Sequence, residues 1–328
     1  MRQSLASIGL RLPQVLASKH ARVAASAGRR LALIWGLVAL LAAATLPAEP
    51  SVGLAQGAQT WDVQVSGTDS TQRLMAQSYF PGALTIHVGD TVRWRFASIT
   101  IHTVTFNSGL PAAEELIPGP GPGELTLGPA FFEEGPSGPN ATYDGTVRTS
   151  SGIPLGPPDE FDYRLTFTRP GLFGYVCTVH PGMRAEVEVV PTTVPLAETP
   201  AQAQARGMST LSSLLSRMAN DTLTVRSATA GTTHTALAGL GDGFGASALE
   251  FLPLDLTVRQ GDTVAWTLAD PFEIHTVTFT SGGPTPEFVD LRPQANGPPI
   301  AVITANVAQP VGGTTYTGQG YILSLIHI

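Results

Sequence analysis

Cysteine and lysine are almost absent from this 328-residue chain, which has one of each, Cys177 and Lys19. A single cysteine excludes an intramolecular disulfide, so its thiol should be buried, reactive or bound to a metal. Charged residues make up only 13 % of the sequence, whereas glycine (35) and proline (27) are abundant. This composition favours an all-β fold with many turns over a helical one, and the length allows about two domains.

The N-terminal 55 residues differ in composition from the rest of the chain. They contain six of the 18 basic residues and one of the 25 acidic residues, and positions 31–46 form an apolar run, LALIWGLVALLAAATL. A basic segment, an apolar segment and small residues in this order are typical of a secretory signal, and the run is shorter than the about 20 residues of a membrane span. We predict that residues 1–55 are a signal peptide or, alternatively, a retained N-terminal anchor.

The chain without this segment is acidic. It keeps twelve basic and 24 acidic residues, a net charge of −12. Such a surface repels nucleic acids and anionic membranes, so we expect no nucleic-acid partner, and membrane contact only through a retained anchor. The predicted location is outside the cytoplasm: periplasmic, extracellular or tethered to the outer side of a membrane.

A repeated β pattern covers most of the remaining chain. Residues 84–109 read LTIHVGDTVRWRFASITIHTVTFNSG, and residues 256–282 read LTVRQGDTVAWTLADPFEIHTVTFTSG. Alternating apolar residues between Gly-Asp turns indicate strands. Four pairs match at an offset of 172 or 173 positions: Pro81 and Pro253, Gly89 and Gly261, His102 and His275, Tyr143 and Tyr316. The pattern predicts two tandem copies of one β domain.

These patterns predict the domain limits. The first domain spans 60–190 and contains a Gly/Pro-rich insert at 107–158, a linker covers 191–220, and the second domain spans 221–328. Within the linker, Met208, Leu211, Leu215 and Met218 have helical spacing, which predicts a short amphipathic helix over 201–219. The offset places the counterpart of Cys177 near position 350, so we expect the second copy to be C-terminally truncated and His275 to lack a cysteine partner.

A metal-binding pattern ends the first copy. Cys177-Thr-Val-His180-Pro-Gly-Met183 places three candidate ligands on one tight loop, and His102 lies upstream on a predicted strand. One thiolate and two imidazoles with a weak thioether ligand select copper in a type 1 site. We predict His102, Cys177, His180 and Met183 as the ligands of one copper. A backbone N–H should donate to the Cys177 sulfur, and the outer nitrogen of His102 should have a partner.

These residues resemble the motifs of a known protein family. The GDTV-x-W strand, the strand histidine and G-x-F-x-Y-x-C-x-x-H-P-x-M resemble the plastocyanin, amicyanin and halocyanin group of blue copper proteins in the cupredoxin superfamily. The resemblance implies a Greek-key β-sandwich and a one-electron carrier with a redox partner protein. The family usually has asparagine after the strand histidine; Thr103 stands there, and its hydroxyl could replace the missing link to the cysteine loop.

The sequence lacks the features that two other copper-protein functions would require. A fragment of a two-domain multicopper oxidase or copper nitrite reductase would need extra His-x-His or His-Cys-His pairs, which the sequence lacks, so we expect no enzyme. A non-redox copper-binding protein for storage or delivery would favour Met- or His-rich tracts, which are also absent. We further expect the ring edge of His180 to reach solvent beside Pro181 and Gly182, and Asp90 and Asp262 to be turn residues.

Overall fold

A computed structural model shows the protein over residues 57–324. The described residues exclude 99, 112–115, 129–130, 132–134, 136–137, 139, 155–160, 181, 288 and 296–299. The predicted signal or anchor at 1–55, parts of the insert and Pro181 therefore lie outside the described residues. Among the residues that are described, no helix has both the length and the hydropathy that a membrane crossing requires.

Twelve strands are described in the first repeat. They are β1 (Thr60–Thr68), β2 (Leu74–Phe80), β3 (Ala83–His87), β4 (Thr91–Phe96), β5 (Thr105–Phe106), β6 (Leu116–Pro118), β7 (Leu125–Leu127), β8 (Thr142–Tyr143), β9 (Thr149–Ser150), β10 (Asp162–Phe167), β11 (Gly171–Val176) and β12 (Arg184–Val190).

Two sheets of these strands enclose the main core. One sheet has the order β2-β1-β4-β10-β8, and the other has the order β3-β12-β11-β5-β9. Alternate residues of each strand point inward, so that Trp61 and Trp94 from the first sheet meet Ile86, Phe106 and Tyr175 from the second, all fully or almost fully buried. The predicted all-β sandwich is confirmed.

Two helices and eight further strands follow. They are α1 (Pro200–Thr224), β13 (Thr229–Ala230), β14 (Thr233–Gly241), β15 (Ala246–Leu252), β16 (Thr263–Ala269), β17 (Thr278–Phe279), β18 (Asp290–Arg292), β19 (Ile300–Ile303), the short helix α2 (Ala305–Ala308) and β20 (Ile322–Leu323).

The two repeats share one sheet. β15 pairs with β2, which joins β13, β14, β15 and β16 to the first sheet of the sandwich as nine strands in all within the described part of the chain. β2 and β15 are corresponding strands at an offset of 172, and the partners are Ala76 with Ala246, Met75 with Ser247 and Leu74 with Ala248. Since Met75 and Ser247 correspond to each other, the pairing is the same when read from either strand.

The backbone hydrogen bonds beside this junction repeat in the same way. The Gln77 N–H donates to the Gly245 carbonyl at 2.6 Å, and the Leu249 N–H donates to the Arg73 carbonyl at 2.7 Å. Gln77 corresponds to Leu249 and Arg73 to Gly245, so each repeat gives and receives the same bond.

The insert provides a second junction between the repeats. β7 pairs with β19, with Thr126 opposite Val302. Next to this pair, both guanidinium nitrogens Nη1 and Nη2 of Arg292 donate to the carboxylate of Glu124, at 2.9 and 2.7 Å. The described part of the insert thus contacts the second repeat.

The predicted linker helix is present and is longer than the sequence indicated. α1 extends from Pro200 to Thr224 and begins with a capping box, in which Thr199 and Gln202 exchange side-chain-to-backbone hydrogen bonds. Leu214 and Met218 are buried against Ala76, Phe80, Ala246 and Ala248, while Met208, Leu211 and Leu215 are partly buried there. The helix therefore covers the line where β2 and β15 meet.

Local contacts also recur at the repeat offset. The Ser108 hydroxyl lies 2.9 Å from the Tyr143 hydroxyl, and the corresponding Ser281 lies 3.2 Å from the Tyr316 hydroxyl. The predicted turn glycines Gly89 and Gly261 have φ values of 94° and 95°, in the left-handed region that glycine adopts without a steric penalty.

The domain limits at 60–190 and 221–328 stay predictions.

Candidate metal centre

The alternation of β11 and β12 delivers two candidate ligands to the core. Phe173 and Tyr175 point inward from β11, and the same parity carries Cys177 into the core just after the strand ends. Met183 precedes β12 and shares the inward parity of Val187. Both ligand candidates are almost fully buried, Cys177 at 0 % and Met183 at 2 % exposure.

The loop between these strands is closed by backbone hydrogen bonds. The Cys177 N–H donates to the Met183 carbonyl at 3.0 Å, and the Met183 N–H donates to the His180 carbonyl at 2.8 Å. These two bonds bring the backbone of Met183 against Cys177 and His180, so the loop is closed without any contribution from a metal.

His102 comes from a segment that the sequence assigned to a strand. It lies between β4 and β5 rather than within a strand. β5 pairs with β11 through Thr105 and Val176, and this pairing brings the residues before β5 next to the cysteine loop. His102 is completely buried.

Three of the four predicted ligands meet at one point. The ligand atoms of His102, Cys177 and His180 all lie within 4.8 Å of one another. The Cys177 Sγ is 3.9 Å from His102 Nδ1 and 3.5 Å from His180 Nδ1. Both imidazoles thus present the same nitrogen toward the sulfur.

The outer nitrogens of both histidines are held by polar side chains. His102 Nε2 lies 2.8 Å from the Thr100 hydroxyl, as the sequence led us to expect for this nitrogen. His180 Nε2 lies 3.3 Å from the Glu273 carboxylate. With a metal bound and the proton on Nε2 of each ring, the Nδ1 lone pairs would be the metal-binding atoms.

Thr103 connects the histidine segment to the cysteine loop. Its N–H donates to the Cys177 Sγ at 3.3 Å, and its hydroxyl accepts from the Thr178 N–H at 2.8 Å. The first bond stabilises negative charge on sulfur. The second is the hydroxyl link that we expected in place of an asparagine. The Tyr79 hydroxyl donates to the Thr103 carbonyl at 2.5 Å from the core side.

Burial and charge act differently on the ionisable groups of the centre. Burial lowers the pKa of His102 well below its usual value, and the charge of His180 acts in the same direction. Burial also disfavours the imidazolium of His180, but hydrogen bonds with Cys177 and Glu273 outweigh it and raise the pKa to about 10. Burial and the charge of Cys177 raise the pKa of Tyr79 well above its usual value, which keeps its hydroxyl a donor.

His180 does not reach solvent as the sequence suggested. Only 6 % of the residue is exposed. A loop of the second repeat covers it: besides the Glu273 contact, the ring of Phe272 lies so close to Gly182 that a Cβ there would be 3.0 Å from Phe272 Cε1. The expectation that the ring edge of His180 reaches solvent is therefore wrong, whereas Gly182 beside it is exposed.

The donor set fits copper. The sulfur of Cys177 is soft and suits Cu(I), whereas the two imidazole nitrogens suit both Cu(I) and Cu(II). The inward-facing Nδ1 atoms, the N–H donor to sulfur and the dry surroundings match what a thiolate-bound ion requires. The buried His102, Cys177 and His180 group is compatible with copper.

Comparisons with known proteins gave only structural neighbours. No protein-family profile matches the chain, and no curated protein matches it. The solved structures that resemble it include a Cu(I) form of an amicyanin mutant, with 23 % identity and a TM-score of 0.24 over 40 % of this chain and 82 % of that one. A reduced Cu(I) form of another amicyanin mutant at pH 4 has 25 % identity and a TM-score of 0.23, over 42 % and 87 % of the two chains. At these TM-scores the likeness carries no argument.

Sequence reasoning missed three residues that shape the centre or its support. Thr100 and Glu273 hold the outer nitrogens of the histidines, and neither is part of a recognisable motif. Asp90, expected to be a simple turn residue, is 2 % exposed and accepts from the indole Nε1–H of Trp61 at 2.9 Å. Its position after the turn glycine was visible, but its partner Trp61 lies 29 residues away.

Proposed function

We propose that this protein is an exported cupredoxin-type electron carrier that binds one type 1 copper at His102, Cys177, His180 and Met183. The observation that supports it is the convergence of one buried thiol and two Nδ1 atoms within 4.8 Å. Bound copper would supply a one-electron couple between Cu(I) and Cu(II).

The chain's contribution is to hold these ligands in a fixed arrangement. The backbone bonds within 177–183 and the Thr103 link tie the cysteine loop to the histidine segment, and the aromatic core lies beneath both. The rings of Tyr79 and Tyr175 pack edge to face with 4.6 Å between their centroids. The rings of Trp94 and Tyr175 pack in the same way with 5.4 Å between their centroids. A site supported this way changes little between two oxidation states, so electron transfer requires little reorganisation.

The decisive experiment is the optical spectrum of the protein loaded with Cu(II). An intense thiolate-to-copper charge-transfer band toward the red end of the visible range is expected. Cys177→Ser should abolish it, because the variant removes the thiolate. Met183→Leu is the matched control: it conserves volume, should keep the band, and should raise the reduction potential because an apolar axial position disfavours Cu(II).

Two outcomes would contradict the proposal. A pale Cu(II) protein with an ordinary tetragonal EPR signal would exclude a type 1 site. More than one tightly bound copper per chain would favour the oxidase or nitrite reductase alternative, and a site that binds copper but does not cycle would favour a non-redox protein.

The location and partner form part of the same proposal. Export is supported by the basic and apolar composition of residues 1–55, and a basic redox partner protein by the acidity of the rest of the chain. Sequencing the N-terminus of the protein isolated from cells distinguishes a cleaved signal from a retained anchor.

A further inference from the structure

The loop that covers His180 belongs to the second repeat, at the position that corresponds to the histidine segment of the first. We propose that the segment Asp270–His275, called the cap below, holds His180 in place and closes the edge of the metal centre to outside proteins. The inference rests on the proposed copper function for its meaning, but its main test does not need copper.

The first argument is a polar contact between the repeats. Glu273 Oε1 lies 3.3 Å from His180 Nε2, and the glutamate side chain is only 18 % exposed. Since His180 Nδ1 faces Cys177 at 3.5 Å, the proton must be on Nε2 for the ring to serve as a ligand. A carboxylate on the far nitrogen favours this tautomer and fixes the ring's orientation. Glu273 is thus a positioning residue.

The second argument is that the cap itself is firmly held. The buried Asp270 accepts from the Phe272 N–H at 2.9 Å and from the Glu273 N–H at 3.3 Å. Its other oxygen lies 3.0 Å from His275 Nε2. His275, the counterpart of the ligand His102, therefore stabilises the cap loop in this protein.

The third argument is that the cap is attached to the first repeat. The Glu273 carboxylate also accepts a hydrogen bond from the side-chain amide of Gln77, a buried residue of β2. The ring of Phe272 lies against Gly182, where a Cβ would be 3.0 Å from Phe272 Cε1. A partner protein cannot reach the His180 ring while Phe272 and Glu273 occupy these positions.

A cavity beside the cap limits the size of the molecules that can approach His180. It has a volume of about 470 Å³, and its lining includes His180, Phe272, Glu273, Ile274, Thr276 and Val307. The cavity can admit a small molecule along the flank of His180, but it is far too small for a protein surface.

The test measures exchange of the His180 Nε2 proton with water by NMR, in metal-free and Zn²⁺-loaded full-length protein. Glu273→Ala should accelerate exchange by about tenfold or more, since the acceptor is lost. Glu273→Gln should stay within about threefold of the wild type, because its amide oxygen still accepts the bond. Glu287→Ala, an exposed glutamate in the same repeat, is the matched control and should change nothing.

A second readout concerns access to the centre. In the copper protein, Phe272→Ala combined with Glu273→Ala should raise the electron self-exchange rate by about tenfold or more, with the colour retained. The proposal would be wrong if the proton-exchange rate were unchanged in Glu273→Ala, or if the electron self-exchange rate were unchanged in the double variant. A wild-type protein without the blue band would refute the copper function alone, because the proton-exchange result stands without copper.

Discussion

Corresponding positions of the two repeats lie in very different surroundings. Trp94 is completely buried between two sheets, whereas its counterpart Trp266 is 36 % exposed. Val258 is 41 % exposed, while the corresponding Ile86 is fully buried. The first repeat has β11 and β12 over this face, and the described residues of the second repeat provide no such cover. The same sequence pattern thus builds a closed core in one repeat and a half-open sheet in the other.

The tryptophan pair gives the sharpest test of this difference. Trp94→Ala should lower the free energy of unfolding by about 3–5 kcal/mol, because it leaves a large cavity in a packed core. Trp266→Ala should cost about 1 kcal/mol or less, because part of the ring is already in water. Denaturant titrations of both variants provide the measurement. Equal losses would show that the second repeat is as well packed in solution as the first.

The aspartates after the turn glycines form a second matched pair. Asp90 accepts hydrogen bonds from the Gln59 and His87 N–H groups and the Trp61 indole. Asp90→Ala leaves the buried indole N–H and two partly buried backbone N–H groups without this acceptor and should cost about 3 kcal/mol.

Its counterpart Asp262 accepts from the Arg259 N–H and from His234 Nε2, nearer the surface. Asp262→Ala should cost about 1 kcal/mol or less in the same denaturant titration. If Asp262→Ala proved the more damaging of the two, the assignment of Asp90 as the main anchor would be wrong.

The smallest expected effect concerns the threonines after the two histidines. Thr103→Val removes the acceptor of the Thr178 N–H in a buried place and should cost about 1–2 kcal/mol. It should also shift the charge-transfer band of the copper protein, because the cysteine loop is then held less firmly. Thr276→Val should cost about 0.5 kcal/mol or less, since its hydroxyl contacts only the neighbouring Thr278 at 3.0 Å among the bonds described. A band that stays in place in Thr103→Val would mean that the hydroxyl link does not orient the loop.

The sequence was sufficient where the chemistry is local or periodic. Composition and strand alternation predicted the all-β fold, and the family resemblance implied the sandwich. The spacing of Cys177, His180 and Met183 placed three candidate ligands on one loop between strands. Helical spacing also predicted α1, although its end at Thr224 lies beyond the apolar stripe that defined it.

What the sequence could not provide depends on contacts between distant segments. Nothing in the local pattern of Glu273 indicates that it lies on His180, and the solvent-exposed ring edge was a sound expectation for a single domain. The shared sheet was equally invisible, because the pairing of β2 with β15 depends on how two finished repeats pack. His102 was assigned to a strand on its β-rich neighbours, but the segment leaves the sheet just before β5.

The pairing of β2 with its own counterpart β15 has a consequence for single substitutions. Identical bonds exchanged between corresponding strands are the kind of contact that a two-fold symmetric dimer makes, and here both strands belong to one chain. In a true dimer of identical chains, each substitution would appear at both sites at once. Within one chain that constraint does not apply: Thr100 and Glu273 correspond, yet Thr100 contacts the histidine of its own repeat and Glu273 contacts the histidine of the other. The two corresponding positions thus serve the same candidate centre from opposite repeats.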